Sequence, residues 1–336
     1  MDVVALGESM VTFLPSRPGR LADVPSFDRA IGGAESNVAC VLAAAGHCVR
    51  WVSRVGADGF GQHLVEAVAG YGVDVMSVDR DPARPTGVYF RTAADRGTGE
   101  HEVAYYRAGS AASAMSVRNV DLAAVRAGRV LHLSGITAAL SPECHALLRE
   151  LTAPGPHRPL LSFDVNHRRD LWRTAEGPLA LLELARRADL VFVGEDEAAE
   201  AWGVSGGPEA IREALPEPGV LVVKQGAKGA TAFACGRPPA SEPAPAVDVV
   251  AATGAGDAFA AGFLSATLRG LPLAARLRQG HLFAAAALTT PGDVAPPPTR
   301  DHADRLTALD GTAWGRLRLA PGWTQAERVT EEANTP

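Results

Sequence analysis

The sequence predicts an α/β fold with a mostly parallel central sheet. Short runs of β-branched residues, bounded by glycine or polar residues, alternate along the chain with alanine- and leucine-rich segments. This alternation is typical of βαβ units. Hydrophobic residues make up 47% of the chain and charged residues 21%, which is typical of a globular protein and not of a disordered one. A chain of 336 residues can bury a substantial core, in one large domain or two ordinary ones.

The first elements are predicted in the order strand, helix, strand, helix. The run VVALGES, which starts at Val3, indicates a buried strand. SNVACVLAAAG, over residues 36–46, predicts a helix capped by Ser36 and ended by a glycine. VRWVSRVG, over residues 49–56, predicts the next strand, and GFGQHLVEAVAGYG, over residues 59–72, the next helix.

Four later segments predict further strands of the same sheet. They are RVLHLSG, LLSFDVN, DLVFVGE and GVLVVKQG, and each ends in polar residues or glycine. Ligands of open parallel sheets bind in the crevice beyond the carboxyl ends of the strands. The polar residues at these ends are therefore candidate site residues, namely Ser134, Asn166, Glu195 and Lys224.

Residues 86–109, TGVYFRTAADRGTGEHEVAYYRAG, interrupt the βαβ pattern. Two alternating segments flank a turn rich in glycine, aspartate and arginine, which predicts a β-hairpin with no helix between its strands. Such a hairpin does not fit easily into a parallel sheet. We therefore expect it to project from the sheet and to cover something.

Charge and cysteine content narrow the class of protein. The formal net charge is −6 and no basic block is present, which excludes a nucleic-acid binder because neutralising phosphates requires a concentrated basic surface. No apolar run approaches the roughly 20 residues that cross a bilayer, and the N-terminus lacks the pattern of a signal peptide. We therefore expect a cytoplasmic protein, in which the four scattered cysteines are small buried hydrophobic residues.

The stretch AATGAGDAFAAGF, over residues 251–263, carries the strongest chemical signal. Gly254 and Gly256 allow successive backbone N–H groups to point into one concavity, and the following helix adds its unpaired N–H groups and its positive dipole end. The carboxylate of Asp257 lies beside this anion site. Its position is explained if the anion is a phosphoryl group in transfer, because an ionised Asp257 can hold the attacking hydroxyl. The alternative is a carboxylate that only caps the helix.

Other nucleotide-binding patterns fit the chain less well. The dinucleotide pattern GxGxxG is not satisfied, because Phe259 stands at its third glycine position. No Walker A sequence is present either.

TGAGDAFAAGF resembles the C-terminal signature of the ribokinase-like (PfkB) family of carbohydrate kinases. GGAESNVACVLAAAG followed by VSRVGADGFGQHL resembles the N-terminal signature. The resemblance implies a three-layer α/β/α domain over residues 1–310, with lid strands inserted at about 10–32 and 86–108, and a C-terminal tail over residues 311–336. It also implies ATP and Mg²⁺ as cofactors.

The resemblance assigns roles to individual residues. It implies that Asp257 is the catalytic base and that the backbone of Gly254, Ala255 and Gly256 forms the anion hole. It further implies that the nucleotide lies along Lys224, Gly226 and Gly229, and that Glu197 organises the metal.

The acceptor is predicted from the lid and the crevice. Strand alternation places Tyr105 and Arg107 on one face of the lid and Tyr106 on the other. Arg168 follows a strand end that should point into the same crevice, and two arginines suit a carboxylate on the acceptor. Each arginine has an ordinary alternative as an exposed side chain, and the tyrosines as hairpin packing.

YYRAGSAAS, HLSGITAALS and DVNHRRDLW together resemble the branch of this family that phosphorylates 2-keto-3-deoxygluconate, a six-carbon sugar acid. The alternatives are another PfkB kinase, acting on fructose or ribose, and a sugar-binding regulator without turnover. The resemblance carries substrate contacts, besides Asp257, onto Gly33, Asn37, Tyr89, Tyr105, Arg107, Ile136 and Arg168.

Two positions depart from the family pattern. Ala251 stands where the family usually has an aspartate that helps to hold a monovalent cation, so we expect weak or absent activation by K⁺. Gly194 stands in place of the asparagine of the NxxE motif, although Glu197 is kept. The second face of the lid is expected to pack on another subunit, which predicts a homo-oligomer.

Overall fold

The computed structural model describes residues 1–92, 102–156, 158–172 and 177–325. The chain forms a large central sheet, a small second sheet and a short two-stranded sheet. The strands of these sheets are β1 (Val3–Leu6), β2 (Met10–Pro15), β3 (Phe27–Gly32), β4 (Val49–Gly56), β5 (Val78–Asp81), β6 (Val88–Arg91), β7 (Val103–Tyr106), β8 (Val130–Ser134), β9 (Leu160–Asp164), β10 (Leu190–Gly194), β11 (Val220–Lys224), β12 (Ala230–Ala234), β13 (Ala240–Glu242), β14 (Ala246–Val247) and β15 (Arg318–Leu319).

The central sheet has nine strands in the order β13-β12-β11-β10-β9-β8-β1-β4-β5. The strands from β11 to β5 in this order run parallel to one another. The two strands at the β13 edge are antiparallel to their neighbours. The predicted mostly parallel sheet is therefore confirmed.

Helices cover both faces of the central sheet. They are α1 (Ala34–Ala44), α2 (Gly59–Gly70), α3 (Leu122–Val125), α4 (Gly135–Ala139), α5 (Pro142–Leu151), α6 (Gly177–Arg187), α7 (Glu195–Trp202), α8 (Pro208–Ala214), α9 (Ala255–Leu268), α10 (Leu273–Leu288), α11 (Arg300–Thr307) and α12 (Gly311–Gly315). In the described part of the chain, short 3₁₀ turns also lie at Ala112–Ala114, Gly226–Lys228 and Trp323–Gln325.

Each face of the sheet has its own hydrophobic core. In β1, Val3 and Ala5 join a cluster with residues of α1, α9 and α10, whereas Val4 and Leu6 join a cluster with residues of α5, α6 and α7. Neighbouring residues of a strand point to opposite faces, so a strand that is buried on both faces is apolar throughout. This arrangement is the predicted three-layer α/β/α fold.

The small second sheet has the order β3-β2-β6-β7 and is called the lid below. β2 pairs antiparallel with β3 and parallel with β6, and β6 pairs antiparallel with β7. The predicted hairpin is thus present as β6 and β7. Its glycine- and arginine-rich turn, residues 93–101, lies outside the described residues.

Two local expectations differ from the structure. α1 begins at Ala34 after Gly33, and Ser36 lies inside the helix, where its hydroxyl donates to Ser9 Oγ at 2.9 Å. Cys48 and Cys235 are exposed, whereas Cys40 and Cys144 are buried. The two exposed cysteines lie in turns outside the strands and helices, so the core does not reach them.

The segment that follows residue 310 packs against the domain. The side chain of Trp314 is fully buried in the core beside α10, its indole N–H donates to the carbonyl of Pro243 at 2.9 Å, and β15 pairs with β14. Residues 311–325, which we expected to be a tail, are therefore part of the folded domain. Residues 326–336 lie outside the described residues.

Within the described ranges, no helix combines the length and the apolar character that crossing a bilayer requires.

Candidate active site

The carboxyl ends of the parallel strands bring the predicted polar residues to one edge of the sheet. Ser134 ends β8 and donates its hydroxyl to Glu35 Oε1 at 2.8 Å. Asn166 follows β9 and is buried, and Lys224 ends β11. Glu195 begins α7 just after β10, and its Oε2 accepts from the side-chain amide of Gln225 at 3.3 Å. The crevice predicted from the strand ends is therefore assembled from four strands.

Helix α9 begins at this edge with the predicted glycine turn. Gly254 is the N-terminal cap residue, with φ +80°, a region that L-residues with a Cβ avoid. A Cβ at Gly254 would also lie 2.1 Å from the carbonyl oxygen of Asp293. The first N–H groups of the helix, at Ala255 and Gly256, have no partner within the helix, so they are the donors available to an anion.

The position of α9 depends on a close contact with α10. A Cβ at Gly262 would lie 2.5 Å from the carbonyl oxygen of Gln279 in α10. Glycine therefore lets the two helix backbones approach each other. This contact sets how closely the middle of α9 packs against α10.

The carboxylate of Asp257 lies in that first turn and is half-buried. Its Oδ2 accepts from Asn37 Nδ2 at 2.8 Å, and Asn37 Oδ1 in turn accepts the N–H of Gly33 at 3.3 Å. Burial raises the pKa of Asp257 to about 7, and the charge of Asp164 adds to this, against the lowering effects of Asn37, Arg168 and Lys224. The expectation of a fully ionised Asp257 at neutral pH is thus wrong, because desolvation outweighs the favourable contacts.

Lys224 forms a buried ion pair beside the first turn of α9. Its Nζ lies 3.0 Å from both carboxylate oxygens of Asp164 and would lie 3.7 Å from a Cβ at Gly256. Burial by itself lowers the pKa of Lys224, but the charges of Asp164, Glu197 and Asp257 raise it above its usual value. A charged ammonium group is thus held beside the first turn of α9.

Glu197 is placed so that it can serve a metal bound to phosphates. Its Oε2 accepts the backbone N–H of Gly194 at 2.7 Å, and its Oε1 lies 3.8 Å from Arg168 Nη1. Burial raises the pKa of Glu197. Mg²⁺ commonly takes one or two carboxylates and otherwise substrate phosphates and water, so a single carboxylate here fits the ion. Over the described residues, no cluster of three or more ligating side chains is present.

The glycines predicted to lie along the nucleotide form the turn between β11 and β12. Gly226 has φ +59° and Gly229 φ +133°. A Cβ at Gly229 would lie 2.3 Å from the carbonyl oxygen of Glu242, so the turn requires glycine there. This turn directly follows Lys224.

The lid residues lie on one face, as strand alternation predicts. The rings of Tyr89 and Tyr105 are 5.4 Å apart, and the guanidinium of Arg107 lies 5.9 Å from the centre of the Tyr105 ring. Tyr89 is buried, whereas 53% of Tyr105 is exposed.

Arg107 is already paired with a carboxylate. Its Nη2 contacts Glu8 Oε2, and Glu8 Oε1 accepts the hydroxyl of Ser110 at 2.5 Å. The side chain of Arg107 is only 10% exposed. Arg168 lies next to Glu197, with half of its side chain exposed. Neither arginine is therefore the free cation that the sequence suggested. Among the described residues, Arg107 pairs with Glu8 and Arg168 with Glu197.

The predicted contacts Gly33 and Ile136 both lie at helix starts. Gly33 caps α1, and a Cβ there would lie 2.4 Å from the carbonyl oxygen of Glu8. Ile136 is in the first turn of α4, where its N–H bonds to Ser134 Oγ at 3.2 Å. Glu35 lies two residues before Asn37 in α1 and is fully buried, and burial raises its pKa.

Three carboxylates that contact site residues are not among the residues predicted from the sequence. Asp164 binds Lys224, Glu8 binds Arg107, and Asp293 binds two lid side chains. Asp164 is the last residue of β9, in LLSFD, and Glu8 follows β1, in VVALGE. This position at the end of an apolar strand was the available signal. Asp293 lies in a proline- and glycine-rich loop with no such signal.

Comparison with known proteins places the chain among sugar kinases. A model of the pfkB family carbohydrate kinases matches residues 1–300. A 2-dehydro-3-deoxygluconokinase of Bacillus subtilis is 33% identical over 310 residues, which cover 90% of this chain and 94% of that protein. A fructokinase-2 of Zea mays is 33% identical over 266 residues, covering 78% of each protein.

A solved structure shares both the fold and part of the sequence. The crystal structure of a sugar kinase from Pyrococcus horikoshii in complex with ATP has a TM-score of 0.78 to this chain, covers 93% of it and 99% of that chain, and is 25% identical. The family signature over residues 1–300 and the 33% identity over nine-tenths of the chain lead to one conclusion: this chain belongs to the pfkB family of carbohydrate kinases.

Proposed function

We propose that this kinase transfers the γ-phosphoryl group of ATP to the terminal hydroxyl of 2-keto-3-deoxygluconate, giving ADP and the 6-phosphate. The observation that carries the reaction type is the carboxylate of Asp257 in the first turn of α9, beside the free N–H groups of the helix and the ammonium of Lys224. The sugar-acid acceptor is supported by the relative from Bacillus subtilis and by the arginine of the lid.

The chemistry assigned to Asp257 is general-base catalysis. As the hydroxyl oxygen of the acceptor forms its bond to the γ-phosphorus, one carboxylate oxygen takes the hydroxyl proton, and the bond to the ADP oxygen breaks. A base with a pKa of about 7 is well matched to this transfer at neutral pH. Asn37 holds the carboxylate in place through its 2.8 Å hydrogen bond.

Charge on the moving phosphoryl group is stabilised by the start of α9. The N–H groups of Gly254, Ala255 and Gly256 form the proposed anion hole, and Lys224 adds a positive charge close to Gly256. Fixed donors that already point at developing charge need no rearrangement during the reaction, and they are usually the largest contribution to such catalysis.

The nucleotide is assigned to Lys224, Gly226 and Gly229, and the metal to Glu197. ATP in the related structure from Pyrococcus horikoshii supports the choice of donor. When bound, Mg²⁺ would neutralise charge on the transferred phosphates. The protein's own part is the buried carboxylate of Glu197, which the N–H of Gly194 holds at 2.7 Å.

The sugar acid is assigned to the space between the lid and the sheet edge. Tyr89, Tyr105 and Arg107 contribute from the lid. Arg107 Nε is buried and has no hydrogen-bond partner among the described residues, so one donor of this guanidinium remains for a substrate carboxylate although Glu8 occupies another. The contacts assigned on the other side are Gly33, Asn37, Ile136 and Arg168.

A second candidate is phosphorylation of fructose. The similarity to the maize fructokinase, at the same 33% identity over a shorter stretch, favours it. A neutral ketose would leave the guanidinium of Arg107 paired only with Glu8. The two acceptors therefore differ in their dependence on Arg107.

A coupled assay of ADP release separates these candidates. The purified enzyme is offered 2-keto-3-deoxygluconate, its C4 epimer and fructose, and we expect the highest kcat/KM for one of the two acids. Arg107→Ala should lower kcat/KM for the acid by about 10- to 100-fold, the size of a lost charge-assisted contact, and should affect fructose less. Arg118→Ala, at an exposed position, is the control.

A clear preference for fructose would replace the proposed acceptor. If none of the acids or sugars leads to release of ADP, a sugar-binding regulator would be the favoured function.

A further inference from the structure

One buried carboxylate connects the lid to the loop behind the anion hole. Asp293 lies in the loop between α10 and α11, and its two oxygens accept from two side chains of β6. Oδ2 accepts the hydroxyl of Tyr89 at 2.5 Å, and Oδ1 accepts Arg91 Nη2 at 2.8 Å. A single loop residue therefore holds two positions of one lid strand.

The backbone of the same residue supports the start of α9. The carbonyl oxygen of Asp293 would be 2.1 Å from a Cβ at Gly254, so loop and glycine turn are packed without a gap. On the other side, a Cβ at Gly32 would lie 2.2 Å from the Tyr89 hydroxyl and 2.5 Å from Asp293 Oδ2. A displacement of Asp293 must therefore move either the lid strand or the glycine turn.

The three side chains are buried, and the positive charge of Arg91 balances the negative charge of Asp293. Asp293 is 5% exposed, Tyr89 5% and Arg91 9%. Burial raises the pKa of Asp293 while the charge of Arg91 lowers it. Burial and the charge of Asp293 raise the pKa of Tyr89, so its hydroxyl remains a donor. Removing one member of a buried ion pair leaves an uncompensated buried charge, which is strongly unfavourable, so we expect Arg91 and Asp293 to stay paired.

The contacts continue from Tyr89 into the proposed acceptor space. The Tyr89 ring packs against Tyr105, Arg107 lies over Tyr105, and Arg107 pairs with Glu8 beside Gly33. The Tyr89 hydroxyl is used by Asp293, so this residue can meet an acceptor only through its ring. A continuous row of contacts thus runs from the acceptor space to the anion hole.

We propose that Asp293 and Arg91 are positioning residues that couple the lid to the anion hole. The pair transmits the position of β6 to the backbone at Gly254, so that the N–H donors of α9 are aligned only when the lid lies over the acceptor. This inference rests on the proposed function for its kinetic consequence, since alignment matters for phosphoryl transfer. The contact itself does not depend on which acceptor is used.

The first experiment measures the coupling without an acceptor. Amide hydrogen exchange is followed in residues 88–91 and 290–294, with and without the Mg²⁺ complex of a non-hydrolysable ATP analogue. In the native enzyme both segments should gain protection together. In Arg91→Met, residues 290–294 should still gain protection while residues 88–91 do not. Protection of the lid segment in the variant, or its absence in the native enzyme, would overturn the proposal.

The second experiment uses the ratio of sugar-acid phosphorylation to ATP hydrolysis without acceptor. Arg91→Met should lower kcat for phosphorylation by about 10- to 100-fold, the effect of a small misalignment, with little change in KM for ATP. The hydrolysis rate should fall much less, so the ratio drops. Arg91→Lys keeps the charge and should recover most of the ratio.

Arg54→Met is the matched control, because it breaks a comparable ion pair with Asp81, at 2.9 Å, away from the lid–loop contact. Equal losses in both activities for Arg91→Met, as for a partly unfolded enzyme, would contradict a positioning role. A native enzyme that phosphorylates only fructose would change the proposed acceptor and leave the coupling result standing.

Discussion

Asp257 shows how neighbouring charges set the protonation of one side chain. Burial and the nearby Asp164 favour its neutral form, whereas Asn37, Arg168 and Lys224 favour the carboxylate. The result is a group that changes charge near neutral pH, which an exposed aspartate does not do. The same Lys224 also serves Asp164 and Glu197, so one cation affects three carboxylates.

Replacing Asp257 by asparagine tests its role directly. Asp257→Asn keeps the shape of the side chain but cannot accept the proton, so turnover should fall by about 10² to 10⁴, the usual range for general-base catalysis. KM for ATP should change little. Steady-state kinetics measure both, with the exposed Asp248→Asn as the control. Turnover close to that of the native enzyme would remove Asp257 from the mechanism.

The pH profile of turnover should report the charge of Lys224. Activity requires ionised Asp257, so kcat should fall as the pH drops through about 7. Lys224→Met removes a charge that favours the carboxylate, and the acid limb should therefore move to higher pH in addition to a loss of rate. Lys228→Met, at an exposed position of the same turn, should leave the limb in place. An unmoved limb in Lys224→Met would show that the ammonium does not act on Asp257.

At the scale of elements, α9 is held from two sides. α10 packs against its middle at Gly262, and the loop at Asp293 packs against its start at Gly254. In both contacts the nearest atom to a Cβ at the glycine would be a backbone carbonyl oxygen, which cannot move aside as a side chain can. Small changes at these glycines should therefore have large effects.

A methyl group at Gly254 is expected to disturb both stability and turnover. Gly254→Ala must fit a Cβ 2.1 Å from a carbonyl oxygen and hold φ at +80°, which costs about 1–3 kcal/mol of unfolding free energy from the backbone strain alone. Turnover should fall by more than about 10²-fold as the N–H donors shift. Gly292 has a similar φ, +96°, but open space around it. The difference between Gly254→Ala and Gly292→Ala therefore measures the effect of the steric clash at Gly254. Equal behaviour of the two variants in kinetics and urea unfolding would contradict this account.

At the scale of the molecule, the lid has an outer face that resembles an interface. Phe90 stacks on Phe13 at 4.6 Å and meets Phe27 and Tyr106 edge-on. Tyr106 is 66% exposed, and a cavity of about 240 Å³ opens between Leu21, Phe27, Phe90, Ala104 and Tyr106. Exposed aromatic clusters of this kind often mark contacts between proteins.

We expect the lid's outer face to pair with a second copy of the chain. Sedimentation of the native enzyme at micromolar concentration should show an oligomer, and Tyr106→Glu should shift it towards monomer because a charge cannot be buried there without a partner. Met76→Glu, which changes a 91% exposed residue elsewhere, is the control. A native monomer under these conditions would disprove the expectation.

The raised pKa of Asp257 also predicts a stability cost. A carboxyl whose folded pKa is raised from 3.8 to about 7 contributes stability below pH 4, and this contribution is lost as the pH rises through about 7. At pH 8 the free energy of unfolding of Asp257→Asn, measured by urea unfolding, should therefore exceed that of the native enzyme by on the order of 1–3 kcal/mol. The difference should shrink towards pH 5. A variant that is less stable at pH 8 would contradict the raised pKa.

Local patterns in the sequence predict the fold and the residues of α9, but not their partners. The strand and helix order follows from alternation, and Asp257, Gly254 and Lys224 follow from short motifs. The pairing of Lys224 with Asp164, 60 residues away, depends on β9 and β11 flanking β10, which no local pattern specifies. The pKa of Asp257 and the pairing of Arg107 with Glu8 were missed for the same reason, because both depend on neighbours that the folded chain brings together.

The parallel pairing of β2 with β6 affects how the chain folds as it is synthesised. β3, α1, β4, α2 and β5 all lie between these two strands in the chain, so β2 and β3 leave the ribosome long before β6. During that interval β2 has an unpaired edge, with Phe13 still lacking its partner Phe90. Open strand edges are sites of unwanted association, and late closure by a distant strand prolongs the exposure. The nascent chain should therefore be most vulnerable to aggregation just before β6 emerges.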